Sequence, residues 1–387
     1  MTRSPPSADE VRKRSAALHA LLQAAMSGTT SQFAWTWSDA LFNDLAGAVF
    51  AHQYASCAPY AGYCDGRGVR PDTLAGWDQI PAVPTEVFKS VDLFAFPPVE
   101  ATTTFLTSGT RFGSRGRHLM RTDSTYLASL APWLDRFLLC GMAGRSPRVF
   151  VLAPPRSSDP GSSLSHMLQW AHDERGAPGS CFFWSDDGPA LAECARALEA
   201  AGATSTPVLL LATSRALEGL LESTSASWSL PAGSVVMETG GPKASGMAFD
   251  RAALHSELAS RLGVPVAAVV SEFGMTELGS QGYSPSWLRA VDPEAALRWP
   301  NLDPDLHVFP PWCRVRALSP DDLSILPLGE RGLLCYWDLS NIDSALCVLT
   351  ADEGVVEDGG VLMLGRSGAA TPRGCSLAVE EILGSSS

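Results

Sequence analysis

The chain has 387 residues, of which 45% are hydrophobic and 18% are charged. This composition is typical of a folded globular protein with an ample core, and it excludes a disordered or fibrous chain. The formal net charge of −13 repels phosphodiester backbones and no stripe of lysine or arginine counters it, so we expect no nucleic-acid partner.

The N-terminus and the cysteines indicate the cellular compartment. Residues 1–26 carry charged side chains and lack the uninterrupted apolar stretch of a signal peptide, and no apolar run reaches membrane-spanning length. The nine cysteines are scattered through the chain without a Cys-x-x-Cys pair, as is typical of reduced thiols. We therefore predict a cytoplasmic protein without a membrane span.

The chain is predicted to begin with helices. Apolar side chains recur at helical spacing at Val11, Leu18, Leu22 and Met26, which predicts an amphipathic helix over residues 7–26. Aromatic clusters and a proline-punctuated stretch follow it. Residues 1–95 are therefore predicted to form a helical N-terminal subregion.

The middle of the chain, residues 96–311, has an alternating pattern. Short β-rich runs occur at 102–106, 149–152, 208–211, 235–237 and 266–270. Helical patterns at 189–201 and 251–262 lie between them and are closed by Gly202 and Gly263. This alternation predicts an α/β core, a sheet flanked by helices with ligand-binding loops at the strand ends.

The C-terminal part has a different pattern. Strand-like runs at 332–337, 345–350 and 360–364 are separated by turn residues, which predicts a small β-rich subdomain over residues 312–365. Residues 366–387 are too few to form another domain, so they are predicted to be a short C-terminal segment.

A loop rich in hydroxyl groups and glycine follows the β-rich run at 102–106. Its first residues are Thr107, Ser108, Gly109 and Thr110. Such hydroxyls and glycine-exposed N–H groups can surround phosphate oxygens, and Arg115 or Arg117 can neutralise their charge. An ordinary polar surface loop is the alternative, and this stretch alone does not decide between the two.

A second loop follows the apolar run at 266–270. Phe273 can stack on a flat heteroaromatic ring, Thr276 can bond a phosphate oxygen, and Glu277 can ligate Mg²⁺. Upstream, the pair Gly240-Gly241 allows a planar base to approach the backbone closely. Each stretch can be a simple turn, but their order and placement together indicate a nucleotide site.

Together these motifs resemble the adenylate-forming superfamily. Its members carry a Thr-Ser-Gly-Thr phosphate loop, a glycine pair beside the adenine, and an aromatic-Gly-x-Thr-Glu loop whose glycine is here Gly274. The resemblance implies the α/β large-domain core of these enzymes, with ATP and Mg²⁺ as cofactors. It also implies that Asp352 bonds the ribose hydroxyls and that Arg366 is the hinge arginine. Asp338 is an alternative for the ribose, and Asp352 can instead be a turn residue before Gly354.

Within that superfamily the chain resembles the LuxE type of acyl-protein synthetase. The residues that carry this resemblance are 80–84 (Ile-Pro-Ala-Val-Pro), 88–89, 152–154, 162–164, 238–241, 274–278, 280–281, 338–339 and 373–377. The resemblance implies that Cys375 is the nucleophile that accepts the acyl group, with Arg373 close enough to lower its pKa. A small residue in a turn is the alternative interpretation of Cys375.

Two features depart from the relatives. Arg111 and Phe112 stand where relatives carry a small residue and then glycine, so the glycine role shifts to Gly113. The mobile C-terminal domain with the catalytic lysine of full-length acyl-CoA ligases is also expected to be missing. This leaves Lys243 and Arg366 as candidates for the cation that stabilises the α-phosphate.

The resulting functional hypothesis is ATP-dependent activation of a carboxylic acid, by analogy a long-chain fatty acid, followed by transfer to Cys375. Thr276, Glu277 and Arg366 are predicted to act in the first step. The implied partner is an acyl reductase or a carrier protein. The alternatives are a ligase that uses an external nucleophile and an inactive binding subunit. His118 and His166 are interpreted as buried or surface histidines rather than catalytic ones.

Overall fold

The computed structural model describes residues 7–31, 35–107, 115–142, 144–240, 250–300, 303, 305–366 and 373–385. In chain order the α-helices of this part are α1 (Ala8–Ser31), α2 (Asp39–Ser56), α3 (Ala58–Gly66), α4 (Ser124–Leu134), α5 (Ser163–Arg175), α6 (Leu191–Gly202), α7 (Ser214–Ser223), α8 (Arg251–Leu262), α9 (Ser286–Val291), α10 (Pro293–Arg298) and α11 (Arg373–Ser385). Short 3-10 helices lie at Trp77–Gln79, Thr85–Lys89, Pro98–Glu100, Cys140–Met142 and Val266–Ala268, and a π-helical turn at Asp135–Leu139.

The strands of the same part of the chain are β1 (Val83–Pro84), β2 (Thr103–Leu106), β3 (Arg117–Met120), β4 (Arg148–Leu152), β5 (Cys181–Phe182), β6 (Trp184–Ser185), β7 (Gly188–Pro189), β8 (Val208–Thr213), β9 (Val235–Thr239), β10 (Val269–Phe273), β11 (Gly282–Tyr283), β12 (Leu306–His307), β13 (Cys313–Leu318), β14 (Arg331–Asp338), β15 (Cys347–Glu357) and β16 (Gly360–Arg366). They fall into two compact units. Unit 1 comprises Met1–Pro132, Met275–Gln281 and Phe309–Ser387, and unit 2 comprises Trp133–Gly274 and Gly282–Val308.

Unit 2 contains a sheet with the strand order β11-β10-β9-β8-β4-β5. All neighbours are parallel except β11, which is antiparallel to β10. Buried apolar runs form the middle of this sheet, at residues 149–152 of β4, 208–212 of β8, 235–237 of β9 and 269–270 of β10. Such runs are usual for parallel sheets that are covered on both faces. Leu198 on α6, Leu217 on α7 and Leu258 on α8 belong to one buried core with Val208 and Val236. Burying each such side chain stabilises the fold by roughly 1.5–3 kcal/mol.

The register of unit 2 brings the carboxyl ends of its central strands to one edge. Thr213 on β8 pairs with Thr239 on β9, and Thr239 pairs in turn with Glu272 on β10. Gly240 and Phe273 therefore lie at the same edge of the sheet. This is the edge at which ligands bind in parallel α/β folds.

Unit 1 contains an antiparallel sheet in which β16, β15, β14 and β13 are neighbours in that order. The short strand β1 pairs in parallel with the start of β15 through Val83 and Val348. In the same unit, β2 and β3 form a separate antiparallel hairpin from Thr103 to Met120. The predicted β-rich pattern of the C-terminal part is confirmed by β13 to β16.

Most of the predicted elements are present. Helix α8 has the predicted bounds, and it ends at Gly263, whose φ of +68° is a conformation that favours glycine. The prediction of a β-rich run at 266–270 was only partly right. Its first residues form a 3-10 turn in which Ala268 N–H donates to the carbonyl of Pro265 at 2.8 Å, and β10 begins at Val269. The domain boundaries at residues 95, 311 and 365 stay predictions.

Length and hydropathy decide whether a helix can cross a bilayer. In the part of the chain that the structure describes, no helix has both the length and the apolar character of a membrane span.

Candidate functional site

The segment Met275–Gln281 belongs to unit 1 and carries two predicted site residues, Thr276 and Glu277. Nδ1 of the buried His118 on β3 donates to the carbonyl of Thr276 at 2.6 Å. Nδ2 of the buried Asn341 donates to the carbonyl of Glu277 at 2.8 Å. Two buried side chains thus fix consecutive carbonyls, which gives the backbone at Glu277 a defined position. The interpretation of His118 as a satisfied buried histidine is confirmed.

Asp338, the last residue of β14, also binds this segment. Its Oδ2 accepts from the N–H groups of Gly279 at 3.0 Å and Ser280 at 2.9 Å. Its Oδ1 accepts from the hydroxyls of Ser280 at 2.8 Å and Ser340 at 2.5 Å, and from the Ser340 N–H at 3.0 Å. Burial raises the pKa of Asp338 and these bonds oppose the rise. Since Asp338 is fully buried with five donors, its alternative role as the ribose ligand is wrong.

The carboxylate of Glu277 is almost entirely removed from water, with 7% of the residue exposed. Burial raises its pKa to about 7, and the positive charges of Lys89 and Arg366 oppose the rise. The negative charge of Glu86 also raises the pKa of Glu277, by less than burial does. Because burial disfavours the ionised form of Glu277, a further cation beside it would stabilise that form near neutral pH.

The residues around Glu277 limit the kind of metal site that they can form. In the described residues, no three side chains of His, Cys, Asp or Glu come together as a metal centre. Mg²⁺ in nucleotide enzymes usually has one or two protein carboxylates and takes its other ligands from phosphates and water. The single carboxylate of Glu277 fits that type of site and not a cage built entirely by protein.

Asp352 and Arg366 are directly opposite each other on β15 and β16. Nε of Arg366 lies 3.6 Å from Oδ1 of Asp352. Burial raises the pKa of Asp352, and the charge of Arg366 opposes this effect. Glu86 acts on Asp352 as well as on Glu277. The structure thus brings together Glu277, Asp352 and Arg366, which lie far apart in the sequence.

The structure describes the two ends of the predicted phosphate loop, at Thr107 and Arg115, but not residues 108–114 between them. The hydroxyl of Thr107 accepts from the N–H of Gly116 at 2.8 Å, which closes the loop. Arg115 donates to the carbonyl of Thr107 at 2.7 Å, and Arg117 pairs with Asp92 at 2.6 Å. Both cations thus bind protein groups, and a role for either of them in neutralising phosphate stays a prediction. Ser108, Gly109 and Thr110 lie outside the described residues, as do Arg111, Phe112 and Gly113.

In unit 2, the predicted adenine-binding glycine Gly240 follows β9 directly and is exposed, with φ of +94°. A side chain is strained in this conformation, so the position requires glycine. The hydroxyl of Ser214 donates to the carbonyl of Thr239 at 3.2 Å, just before the turn. Gly241 and Lys243 lie outside the described residues.

A buried polar network supports this edge of the unit 2 sheet. Glu238 is fully buried and accepts from Arg251 Nε at 2.9 Å and from the Ser214 hydroxyl at 2.5 Å. Burial alone would raise the pKa of Glu238, but its partners outweigh burial and the pKa lies below the ordinary value. On the next strand, Glu272 accepts from the Thr239 hydroxyl, and burial raises its pKa to about 7.

Phe273 is the last residue of β10, and the exposed Gly274 follows it. The Phe273 ring is half-buried and meets the ring of His307 edge to face, with 6.3 Å between centroids. Burial lowers the pKa of His307 to about 4, so its ring is neutral at pH 7. A partly exposed aromatic ring at a strand end has the geometry for stacking on a base.

Cys375 is the third residue of α11. The helix packs through the buried side chains of Ala378 and Ile382, and Glu381 pairs with Arg67 near α3 at 2.9 Å. The side chains of Arg373 and Cys375 lie outside the part that the structure describes. The predicted nucleophile is thus placed in the first turn of a helix, and its surroundings stay a prediction.

Sequence reasoning missed Lys89. The only signal for it was the Phe88-Lys89 phrase, to which no role was assigned. Phe88 contacts the site from two sides: its ring meets His118 edge to face at 6.3 Å, and a Cβ on Gly116 would lie 3.0 Å from its carbonyl oxygen. The exposed Lys89 thus follows a residue that touches both the loop base and the histidine that holds Thr276.

Comparison with known proteins gives similarity only at the level of structure. No protein-family model matches the sequence, and no curated protein matches it. The crystal structure of 2-hydroxyisobutyryl-CoA ligase with 2-HIB-AMP matches with a TM-score of 0.57 and 16% identity, over 88% of this chain and 71% of that one. Its open conformation with 2-HIB-AMP and CoA gives a TM-score of 0.56 and 14% identity, over 84% and 69%.

ATP-bound MatB from Rhodopseudomonas palustris matches with a TM-score of 0.47 and 18% identity, over 70% of this chain and 49% of that chain. The chain thus spans about half the length of that protein. At these identities the comparisons concern the fold and not the reaction. They confirm the predicted fold class: the chain has a mixed α/β fold that it shares with these CoA ligase structures over most of its length.

Proposed function

We propose that the protein uses ATP to activate a carboxylic acid as an acyl-adenylate and then transfers the acyl group to Cys375. The observation that carries the first half is the arrangement of Glu277, Asp352, Arg366 and Lys89 in unit 1. Two carboxylates whose pKa is raised by burial adjoin two exposed cations. Strongly perturbed carboxylates beside cations are typical of functional sites.

Each predicted nucleotide contact is proposed on its own evidence. In unit 1, the Asp352 carboxylate is the proposed acceptor for the ribose hydroxyls. In unit 2, Gly240 and Gly241, with Phe273 and Gly274, are the proposed adenine contacts, supported by the positive φ of Gly240 and the half-buried ring of Phe273. Thr107, Ser108, Gly109 and Thr110 are the proposed phosphate loop.

Mg²⁺ is the proposed metal, with Glu277 as its protein ligand. When bound, the ion would neutralise charge on the phosphate oxygens. Glu277 must be ionised to hold it, and the hydrogen bonds to the carbonyls of Thr276 and Glu277 keep its backbone in position. Thr276 is the proposed hydrogen-bond donor to a phosphate oxygen.

In the first step, a carboxylate oxygen of the substrate attacks the α-phosphorus of ATP. The new oxygen–phosphorus bond forms while the bond to pyrophosphate breaks, and pyrophosphate leaves. The protein contributes by positioning the reactants and by neutralising charge. Arg366 and Lys89 are the proposed cations that stabilise the negative charge developing on the phosphate oxygens. No covalent bond to the protein forms at this stage.

In the second step, the thiolate of Cys375 attacks the carbonyl carbon of the acyl-adenylate. A carbon–sulfur bond forms, the carbon–oxygen bond to phosphate breaks, and AMP leaves; the thiol proton has passed to solvent. The place of Cys375 in the first turn of α11 supports this role, because helix N-termini stabilise thiolates. A long-chain fatty acid as the substrate and an acyl reductase or carrier as the acceptor, in the cytoplasm, complete the proposal.

Intact-mass analysis after incubation with ATP, Mg²⁺ and a panel of carboxylic acids tests both steps. We expect an adduct of one acyl group on wild type and on Cys181→Ser, which removes an exposed free thiol, but none on Cys375→Ser. ATP–pyrophosphate exchange is measured in parallel. Exchange without an adduct means that an external nucleophile accepts the acyl group. Complete inactivity in both assays contradicts the proposal and favours a binding subunit.

A further inference from the structure

We propose that Asp338 is a positioning residue, which acts through the segment Met275–Gln281 to hold the Glu277 carboxylate in its buried place. The inference rests on the proposed function where it assigns Glu277 to the nucleotide and the metal ion. The positioning itself is a property of the chain, and it is measurable without any ligand.

One short stretch at the end of β14, residues 338–341, binds the segment at Glu277 and just after it. Asp338 accepts from the backbone of Gly279 and Ser280, two and three residues after Glu277. Asn341 donates to the carbonyl of Glu277 itself. Residues 338–341 therefore fix the segment from its middle to its end, while His118 fixes its beginning at Thr276.

The geometry requires a carboxylate at position 338. Both oxygens of Asp338 accept hydrogen bonds, Oδ2 from two N–H groups and Oδ1 from three donors. An asparagine there would turn its NH₂ group toward donors in either orientation. All five donors are neutral, so the charge is stabilised by hydrogen bonds rather than by an ion pair. Burying a charge in this way is costly, and a neutral core residue would avoid that cost.

The segment also approaches residues 338–341 too closely to shift toward them. A Cβ added to Gly279 would collide with the hydroxyl of Ser340 and lie 3.2 Å from Oδ1 of Asn341. Glycine is therefore favoured at position 279, where the backbone packs closely against Ser340 and the fully buried Asp338. Such a rigid support around a reacting group is what holds catalytic side chains in place.

The direct test is a titration of Glu277 by NMR, with ¹³C-labelled glutamate and Glu277→Gln to assign its signal. In wild type the carboxyl group should titrate at about 7. In Asp338→Asn, two backbone N–H groups lose their acceptor and the segment opens to water. The pKa of Glu277 should then fall by about one unit or more. An unchanged pKa overturns the proposal.

Asp343→Asn is the matched control. Asp343 is a buried carboxylate of the same region that accepts from the Arg121 N–H at 2.8 Å and from the Ser15 hydroxyl at 3.4 Å. Its loss should lower stability without moving the pKa of Glu277. If Asp338→Asn does not fold, Ser340→Ala decides, because it removes one donor and keeps the carboxylate; it should move the pKa of Glu277 in the same direction by a smaller amount.

A double-mutant cycle on Mg-ATP binding separates positioning from general support of the fold. Asp338→Asn should weaken Mg-ATP binding about tenfold in wild type, but hardly at all in Glu277→Gln. Equal losses in both backgrounds contradict the positioning role. If wild type binds no Mg-ATP, the proposed function fails, while the titration of Glu277 still decides the role of Asp338.

Discussion

The guanidinium of Arg366 lies across the sheet from the carboxylate of Asp352, with 3.6 Å between Nε and Oδ1. The two side chains differ in their exposure, which is 17% for Asp352 and 79% for Arg366. An ion pair with one exposed member contributes little to stability. The structure thus holds a largely buried carboxylate beside a cation that solvent, or a ligand, can reach.

Arg366→Gln should therefore impair activity more than stability. We expect the free energy of unfolding to change by less than about 1 kcal/mol, because the pair is exposed. The rate of ATP–pyrophosphate exchange should fall about 10- to 100-fold, because a charge-assisted contact to phosphate is lost. Arg331→Gln is the control, since Arg331 pairs with Glu353 on the same sheet and is 65% exposed. Equal effects of the two variants on exchange contradict the assignment.

Lys89→Met should weaken ATP binding. The charges of Lys89 and Arg366 both lower the pKa of Glu277, so we expect both cations to attract a phosphate group bound at this carboxylate. The dissociation constant of Mg-ATP, measured by calorimetry, should rise about tenfold, and that of adenosine should not change. Lys13→Met, which removes an exposed lysine paired with Asp9, should leave both constants unchanged. A matching loss of adenosine affinity would show a general defect instead.

The sequence predicted the elements of the fold better than the contacts of the site. The helix at Arg251–Leu262 has clear start and stop signals in Asp250 and Gly263, so local chemistry sets its bounds. By contrast, a short apolar run does not distinguish a strand from a 3-10 turn. For this reason the beginning of β10 was misplaced, since Pro265 starts a turn before the strand.

The site residues show the same limit. The loop after the apolar run at 266–270 predicted Glu277, and the superfamily resemblance implied Asp352 and Arg366, but neither carried distances. Asp338 has the same residue type as a ribose ligand, and only its five donors reveal that it supports the backbone. Its partners Gly279 and Ser280 are almost 60 positions away in the chain. No local pattern encodes a pairing of that range.

Glu277→Gln should stabilise the protein and weaken metal-dependent nucleotide binding. The folded-state pKa of about 7 lies above the ordinary value of 4.5, so the folded state binds more protons than the unfolded state between those values. The stability of wild type therefore decreases as the pH rises through this window, and the full loss is about 3 kcal/mol above pH 7. Urea unfolding should show no gain for the variant at pH 4.5 and a gain approaching this value at pH 8. A variant less stable than wild type at pH 8 contradicts the raised pKa.

His52 should make the protein sensitive to mild acid. It is fully buried on α2, and neither of its ring nitrogens has a hydrogen-bond partner among the described residues. Burial lowers its pKa from 6.5 to about 4, so between these values the unfolded state binds the proton and the folded state does not. The free energy of unfolding is therefore unaffected by His52 above pH 6.5. It decreases as the pH falls below that value, by about 2 kcal/mol at pH 5.

The change His52→Leu removes this titration. The difference in the free energy of unfolding between pH 7.5 and pH 5, measured with urea, should be about 2 kcal/mol smaller in the variant than in wild type. His172→Leu is the control, because His172 is a partly exposed histidine of α5 whose Nδ1 lies 2.8 Å from Oδ1 of Asp173. An equal pH dependence in wild type and His52→Leu would mean that His52 is hydrated in the folded state. In that case the acid sensitivity has to come from other buried histidines, of which His307 also has a pKa of about 4.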